Sequence, residues 1–361
     1  MNQLSLLQDT EITEYTNCDD FLSDMPKVEE IYQTAWKMWY VVQDHKKIMC
    51  SISGGYDSDI MLDMLIRCGA RKKTSFVFYD TGLEYSATKE HIKYLEEKYH
   101  IDILRVRPKK PIPICCKNYG VPFWNKYVSD MIRRLQIHRF QWENETLDVL
   151  LSKYPRCRSS LRWWCNDWGD NSRFNISYIP MLKEFLHKNP PNFAISSMCC
   201  DKAKKEPAHD FEETGEHDIV VTGVRRLEGG KRATTYKSCY DERAYKADLY
   251  RPLFWWSNSD KEAYRRWFGI VRSDCYEVWG MERTGCAGCP FGKDFDAELE
   301  LVQKFEPKRY RAMMSVFGES YDYTREFMAF RGKMKKLTKE ADENQTTIWD
   351  GVNRPEGEVA P

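Results

Sequence analysis

Short apolar runs alternate with amphipathic helical patterns along the first half of the chain. Residues 28–44 carry apolar side chains at helical spacing, and apolar runs follow at 48–52, 75–79 and 101–106. Two later runs, at 192–197 and 218–222, have the same strand-like character. Strands that alternate with helices are typical of a parallel sheet covered by helices on both faces. We therefore predict an α/β fold in which these runs form one sheet.

The alternation is interrupted between 108 and 190 by a helix-forming segment rich in proline and aromatic residues. We interpret this segment as an insertion that covers one end of the sheet. The pattern predicts a polar leader at 1–28, an α/β domain at 29–257 that contains the insertion, a C-terminal helical module at 258–337 and a loose tail at 338–361. The five tryptophans of the insertion, together with its arginines, suit single-stranded nucleic acid. Core packing explains these tryptophans equally well.

Composition narrows the class of protein. A chain of 361 residues suffices for one large or two ordinary domains. Its apolar runs are much shorter than the roughly 20 residues of a membrane span, and its N-terminal sequence has no secretion signal. We therefore expect a cytoplasmic protein. The 55 basic and 55 acidic side chains cancel, which neither supports nor excludes a nucleic-acid partner. In a reducing compartment, 13 cysteines indicate metal-binding, redox or catalytic thiols.

The first predicted strand runs directly into a loop from Ser53 to Ser58, and an apolar helical pattern follows. Gly54 and Gly55 let the backbone turn sharply and expose its N–H groups. Ser53 and Ser58 add hydroxyl donors, and the N-terminus of the next helix contributes a positive dipole. These parts predict a cradle for a phosphate group. The alternative is an ordinary turn in which Asp57 or Ser58 caps the helix.

A second candidate anion site follows the predicted strand at 218–222. Gly223 permits close approach of another backbone. Arg225 and Arg232 can hold phosphate or sulfate with paired N–H groups. A solvated basic loop that pairs with Glu228 is the alternative.

A C-x-x-C motif flanked by glycines lies at Cys286 and Cys289. Two thiolates at this spacing can bind one metal ion or cluster, while glycine lets the backbone wrap around it. A thioredoxin-type redox pair is the alternative, but such a motif opens a helix after a strand. The glycines around Cys286 and Cys289 favour a metal-binding knuckle.

Taken together, these motifs resemble the phosphoadenosine phosphosulfate (PAPS) reductase-like family of the PP-loop, or adenine nucleotide alpha hydrolase, superfamily. The loop at 53–58 is similar to its S-G-G-x-D-S motif, the segment at 80–82 to its D-T-G motif, and 223–232 to its arginine-bearing element. The resemblance implies a Rossmann-like fold that binds ATP or a related adenine nucleotide with Mg²⁺. It assigns nucleotide binding to Ser53, Gly54, Gly55, Asp57, Ser58, Asp80, Thr81, Gly82, Gly223, Arg225 and Arg232.

The pair at 199–200 and the C-x-x-C motif resemble the signature of the iron-sulfur branch of this family. The resemblance implies a [4Fe-4S] cluster, which takes four thiolates, although zinc accepts the same ligands. Because adjacent cysteines are awkward joint ligands, Cys239 or Cys275 can replace one of the pair. The candidate metal ligands are Cys199, Cys200, Cys239, Cys286 and Cys289.

The resemblance implies an enzyme. In its first form, ATP adenylylates an acceptor with loss of pyrophosphate and sulfur then displaces AMP, as in tRNA thiolases and DNA phosphorothioation sulfurtransferases. Asp57, as the magnesium partner, and Arg225 would be the catalytic residues, the acceptor a nucleic acid and the sulfur donor a cysteine desulfurase. The second form is a sulfonucleotide reductase that releases sulfite. Those enzymes attack with a C-terminal cysteine, and here no cysteine follows Cys289. A non-catalytic nucleotide and redox sensor with a protein partner is the third interpretation.

Overall fold

A six-stranded sheet organises the computed structural model, which describes residues 12–228, 235–292 and 295–352. The strand order is β3-β2-β1-β4-β6-β5, and all neighbours are parallel except β5 and β6. The predicted α/β fold with a mainly parallel, Rossmann-like sheet is confirmed. The strands are β1 Ile48–Ile52, β2 Thr74–Tyr79, β3 Ile103–Val106, β4 Ile219–Thr222, β5 Tyr240–Asp241 and β6 Asp248–Tyr250.

Helices connect and flank these strands. Most follow amphipathic patterns, and a π-helical turn at Asp201–Lys205 separates two of them. Among the described residues, every helix is too short or too polar to cross a membrane. The helices are α1 Cys18–Ser23, α2 Glu29–Asp44, α3 Tyr56–Arg67, α4 Ser86–Tyr99, α5 Ile112–Tyr119, α6 Lys126–Ile137, α7 Leu147–Lys153, α8 Arg158–Trp164, α9 Leu182–Lys188, α10 Met198–Cys200, α11 Glu206–Glu212, α12 Asn258–Phe268, α13 Asp274–Glu277, α14 Phe295–Phe305 and α15 Pro307–Val352.

The chain divides into two compact units. Among the described residues, the first unit takes those within 12–115, 199–289 and 295–313, and the second takes those within 116–198, 290–292 and 314–352. The predicted insertion at 108–190 overlaps the second unit, whereas the predicted C-terminal module at 258–337 contributes to both. The predicted leader at 1–28 contributes α1, whose Phe21 is buried in the core of the first unit.

The first unit has a core on each face of the sheet because side chains alternate along a strand. Ile48, Cys50 and Ile52 of β1 pack with α2 and α3 in the larger core. Met49 points to the opposite face, where it packs with Val77 in a smaller cluster. The burial of both faces explains why these strands are almost continuously apolar.

Two predictions made from the sequence are wrong. The run at 192–197 does not add a strand to the sheet, since Ile195 makes only an isolated parallel bridge with Val121 inside the second unit. In the tail predicted to be loose, α15 continues as far as Val352, and residues 353–361 lie outside the described part of the chain. Between Gly332 and Gly351 the sequence contains neither glycine nor proline, so nothing in it interrupts a helix.

The second unit buries most of the tryptophans that the insertion contributes. Trp142, Trp163 and Trp164 lie in an apolar cluster with Leu161 and Phe185. The indole N–H of Trp164 donates to the carbonyl of Glu143 at 2.8 Å, which satisfies its polar atom inside the core. For these three side chains, core packing is the correct interpretation.

Candidate functional site

The loop from Ser53 to Ser58 forms the end of β1 and the beginning of α3. Gly55 is the N-cap of α3 and, having no side chain, provides no side-chain cap for this helix. The interpretation in which Asp57 or Ser58 merely caps the helix is therefore wrong. The Ser58 hydroxyl instead donates to the Gly55 carbonyl at 2.7 Å and accepts from the Ser53 amide at 3.3 Å. An uncapped helix N-terminus behind a tight loop favours an anion.

Two glycines shape this loop from opposite sides. Gly54 has a φ of 66°, and a Cβ atom there would lie 2.9 Å from the Thr88 side chain. Gly223, at the end of β4, packs against the loop backbone, and its Cβ would lie 3.1 Å from atoms of Asp57 and Ser58. Because β1 and β4 are neighbours in the sheet, their carboxyl ends bring the two predicted phosphate elements together.

An ion-paired triad stands beside the loop. Arg225 Nε donates to Asp57 Oδ2 at 2.9 Å, and Lys261 Nζ lies 2.6 Å from Asp57 Oδ1. Arg225 also donates to the Trp256 carbonyl and to Asn258 Oδ1, each at 3.1 Å, which fixes its guanidinium plane. Two cations share one carboxylate, so the triad carries a net positive charge beside the predicted phosphate cradle.

Lys261 is a site residue that the sequence analysis missed. It lies on α12 and is buried, with its ammonium 4.2 Å from the centroid of the Tyr56 ring. Burial lowers the pKa of Lys261, and the charge of Asp57 opposes that shift. A lysine in a helix with many charged residues carries no local signal in the sequence, and only the packing of α12 against α3 reveals its role.

The loop and the triad line a cavity of about 630 Å³ in the first unit. This volume is in the range of small-molecule binding sites. Tyr276, Arg283 and Thr284 close another side, where the Tyr276 hydroxyl lies 2.9 Å from that of Thr284. Lys204 and Glu84 complete the wall towards the C-x-x-C segment.

Glu84 and Lys204 connect the cavity with the cysteines. Burial raises the pKa of the Glu84 carboxyl, which accepts a hydrogen bond from the Thr81 hydroxyl at 2.6 Å. Burial also raises the pKa of Cys286, and Lys204 opposes that shift. Lys204 follows Cys200 by four residues on the same helical segment, so the pair C-C followed by a lysine was the available signal in the sequence.

The C-x-x-C segment is a turn held by its neighbours. The Cys289 amide donates to the Cys286 carbonyl at 3.2 Å, and Gly288 between them has a φ of 63°. The Gly288 amide donates to Glu298 Oε1 and to the Tyr85 hydroxyl, each at 3.1 Å. Tyr85 in turn donates to Glu298. The backbone of this segment is therefore fixed by half-buried Glu298 of α14 and by buried Tyr85 of the loop before α4.

The electrostatic neighbours of Cys286 include Cys200 and Lys204, and those of Lys204 include Cys289. Three of the predicted ligands therefore come near one another, and Cys199 adjoins Cys200 in the chain. Within the described ranges, no three cysteine sulfurs lie within 4.8 Å of one another. A zinc ion with Zn–S bonds of about 2.3 Å needs a more compact set, whereas a [4Fe-4S] cluster places each thiolate on its own iron.

Two other cysteines have different surroundings. The Lys37 ammonium lies 2.9 Å from the sulfur of Cys239 next to β5, and this contact is with α2 instead of the C-x-x-C segment. Cys275 is buried with its sulfur 3.9 Å from the Thr88 hydroxyl, and burial raises its pKa to about 12. A role for Cys239 as a metal ligand stays a prediction.

The D-T-G segment at 80–82 forms a turn next to the residues that line the cavity. Asp80 accepts a hydrogen bond from the Gly82 amide at 3.1 Å and pairs with Lys89 at 3.1 Å. Gly82 has a φ of 85° and packs against Pro111. Glu84, two residues later, reaches the cavity in place of the three predicted residues Asp80, Thr81 and Gly82. Arg232, the remaining predicted nucleotide ligand, lies outside the described residues.

Comparison with known proteins gives one family match. Residues 47–141 match the model of the phosphoadenosine phosphosulfate reductase domain. An uncharacterized protein of Methanocaldococcus jannaschii is 23% identical over 279 residues, which are 76% of this chain and 42% of that protein. The chain thus aligns with less than half of the length of this relative.

Solved structures give distant global similarities. The PAPS reductase of Candida auris, in a phosphate complex, is 13% identical with a TM-score of 0.40 and covers 74% of this chain and 93% of its own. The NH3-dependent NAD synthetase of Campylobacter jejuni is 10% identical with a TM-score of 0.34, and the coverage is 88% and 97%. Similarities this distant carry no argument about function. The domain match itself spans both the phosphate loop and the D-T-G segment. The similarity to the phosphoadenosine phosphosulfate reductase domain therefore covers residues 47–141.

Proposed function

We propose that this protein binds ATP and adenylylates an acceptor, with release of pyrophosphate, so that sulfur can be transferred to that acceptor. The observation that carries the proposal is the uncapped N-terminus of α3 beside the triad of Asp57, Arg225 and Lys261. A helix dipole and two cations at one point suit a polyphosphate.

The proposed reaction has three steps. An oxygen of the acceptor attacks the α-phosphorus of ATP, the bond to the bridging oxygen breaks, and pyrophosphate leaves. The outer sulfur of a persulfide then attacks the activated atom of the acceptor, and AMP leaves with the former acceptor oxygen. A second thiol cleaves the S–S bond of the resulting disulfide, which supplies the two electrons and releases the thiolated acceptor. Arg225 and Lys261 stabilise the charge that develops on the phosphate oxygens in the first step. We propose a nucleic acid as the acceptor and a cysteine desulfurase as the sulfur donor.

The triad gives Asp57 a second role. Both of its oxygens contact cations, so Asp57 holds Arg225 and Lys261 in place. A role for Asp57 as a magnesium ligand stays a prediction. Mg²⁺ commonly keeps several water ligands and binds through the phosphates of its substrate. Mg²⁺ that enters with ATP would neutralise part of the phosphate charge.

The cysteines beside the cavity suit an iron-sulfur cluster better than a zinc ion. Within the described ranges no three of their sulfurs lie within 4.8 Å of one another, and Lys204 lies beside Cys286, which supports this assignment. We propose Cys199, Cys200, Cys286 and Cys289 as ligands of a [4Fe-4S] cluster, which would supply electron transfer or a soft binding site next to the nucleotide.

Anaerobically purified protein tests the proposal. We expect iron and sulfide with little zinc, and formation of AMP and pyrophosphate in equal amounts from Mg-ATP only when a single-stranded oligonucleotide acceptor is present. Arg225→Met should abolish this turnover and Arg225→Lys should retain part of it. Arg226→Met is the matched control, because the adjacent Arg226 is exposed and contacts the Trp255 ring instead of the triad. ATP that binds without any AMP or pyrophosphate would support a sensor instead.

A sulfonucleotide reductase is the second candidate, and the position of the cysteines beside the nucleotide cavity favours it. It predicts release of sulfite from PAPS or adenosine phosphosulfate with a thiol reductant. Sulfite formation by the wild type, lost in Cys286→Ser and absent with ATP, would replace the adenylylation proposal.

A further inference from the structure

A surface loop of the second unit, residues 166–178, exposes a cluster of aromatic rings. We call it the aromatic loop. Trp168, Phe174 and Tyr178 are 37%, 43% and 65% exposed, whereas the core tryptophans of the same unit are at most 7% exposed. The rings of Trp168 and Phe174 contact each other, with centroids 6.3 Å apart. Grouped exposed rings need an explanation beyond packing, because each loses hydrophobic stabilisation.

Arginines accompany these rings. The guanidinium of Arg162 lies 3.9 Å from the centroid of Trp168, and that of Arg173 lies 5.0 Å from Phe174. Arg162 is fixed in this position because its Nε donates to Asp167 Oδ2 at 2.6 Å and its Nη2 to the Asp167 carbonyl at 2.7 Å. The loop itself contains Arg173, Asp167 and Asp170, and three arginines precede it in the chain, of which Arg156 and Arg158 are exposed.

The aromatic loop is held in an uncommon backbone conformation. Asn166, Gly169 and Asn171 have φ values of 59°, 87° and 54°. The Asn175 side chain accepts from the Trp168 amide at 3.0 Å and donates to the Gly169 carbonyl at 2.8 Å. Asn166 Oδ1 accepts from the Ser177 amide at 3.0 Å. Glycine and asparagine adopt positive φ more readily than other residues, and the side-chain hydrogen bonds of Asn166 and Asn175 fix the loop in this conformation.

We propose that the aromatic loop binds single-stranded nucleic acid, with bases stacked on Trp168 and Tyr178 and phosphates paired with Arg162 and Arg173. Stacking needs flat rings that are exposed and already fixed, and it tolerates every base. Arg173 within the loop and the arginines that precede it supply the cations that phosphate needs. The inference rests on the proposed function only where it identifies the bound nucleic acid as the acceptor. The binding itself requires no turnover.

Fluorescence anisotropy with labelled single-stranded DNA and RNA of about 15 nucleotides, in the range of known site sizes, tests the inference. We expect binding that weakens with salt, a preference for single strands over a duplex of the same length, and at least about fivefold weaker binding for Trp168→Ala and for Tyr178→Ala. Trp36→Ala is the matched control, because Trp36 is 51% exposed on α2 of the first unit and also contacts another ring.

Melting temperatures of all variants show whether the fold is retained, and Trp168→Phe keeps an aromatic ring if the alanine variant unfolds. Equal affinity of Trp168→Ala and the wild type would overturn the inference, as would equal binding of duplex or no binding by the wild type. If wild type and Trp168→Ala capture the same protein partner equally well, the aromatic loop is not the binding site of that partner. Affinity for ATP, measured on the same samples, should be unchanged by Trp168→Ala. If the wild type does not bind ATP, the proposed function is refuted. The result on nucleic-acid binding would still stand, because it does not depend on ATP.

Discussion

Replacement of Lys261 by methionine is the most direct test of the phosphate site. Methionine retains much of the buried stem of lysine but removes the charge that lies 2.6 Å from Asp57. Asp57 keeps its ion pair with Arg225, so its carboxylate is not left without a partner in the variant. The net charge of the triad falls from positive to neutral.

The contacts of Lys261 set the expected magnitude. A hydrogen bond to a charged group contributes about 1.5–3 kcal/mol, and each 1.4 kcal/mol changes affinity tenfold. We therefore expect Lys261→Met to bind ATP about 10- to 100-fold more weakly. Lys261→Arg retains a cation and should lose much less affinity.

The pH dependence provides a second readout. Burial lowers the pKa of Lys261, so its charge is lost at a lower pH than that of an exposed lysine. ATP affinity of the wild type should fall as the pH rises through this lowered pKa, and that of Lys261→Arg should not. The free energy of unfolding changes in the opposite direction, because the folded state holds this proton less tightly than the unfolded chain. Burying the charged lysine costs stability below the folded pKa. This cost is relieved as the pH rises from the folded pKa towards the higher pKa of the unfolded chain.

Isothermal titration with ATP between pH 7 and 10, together with urea unfolding, measures both effects. The reasoning is refuted if Lys261→Met binds ATP as tightly as the wild type while remaining folded. It is also refuted if the alkaline loss of affinity is the same in Lys261→Arg.

Three further predictions concern the surroundings of the site. Gly223→Ala should displace the phosphate loop and weaken ATP binding, whereas the control Gly318→Ala meets nothing within 4 Å; equal affinities by titration would contradict this. Glu298→Leu removes an acceptor of the Gly288 amide, so we expect faster alkylation of Cys286 and lower iron content, measured by mass spectrometry and metal analysis, with Glu298→Gln close to the wild type. Cys275, whose burial raises its pKa to about 12, should resist iodoacetamide at pH 8 in the folded protein; rapid labelling would show that it is accessible as a thiolate.

The sequence predicts the parts of the fold that depend on local pattern. The phosphate loop lies where the strand-to-helix pattern places it, and α2 and α12 match their amphipathic periods. The run at 192–197 was misassigned because an apolar run does not specify its partner, and Ile195 contacts Val121 of its own unit instead of the sheet.

The site itself was only partly predictable for a similar reason. Arg225 has a local signal, since it follows a strand and a glycine. Lys261 lies between acidic residues on a helix, where a solvent-exposed ion pair is the usual expectation. Asp57 had a predicted role with magnesium, and tertiary packing gives it two cations as partners.

The long sequence separation within the triad has a consequence for folding. Asp57 is 168 residues before Arg225, and the parallel pairing of β1 with β4 spans a similar distance. Contacts this remote form late, because the entropy of closing long loops must be overcome first. A chain with β1, α3 and β2 in place but β4 undocked would have the complete S-G-G-x-D-S motif and yet lack the cations that hold a polyphosphate. Binding of ATP would therefore report that folding is complete. Each ATP-bound molecule would be one in which β4 has paired with β1 beside the loop.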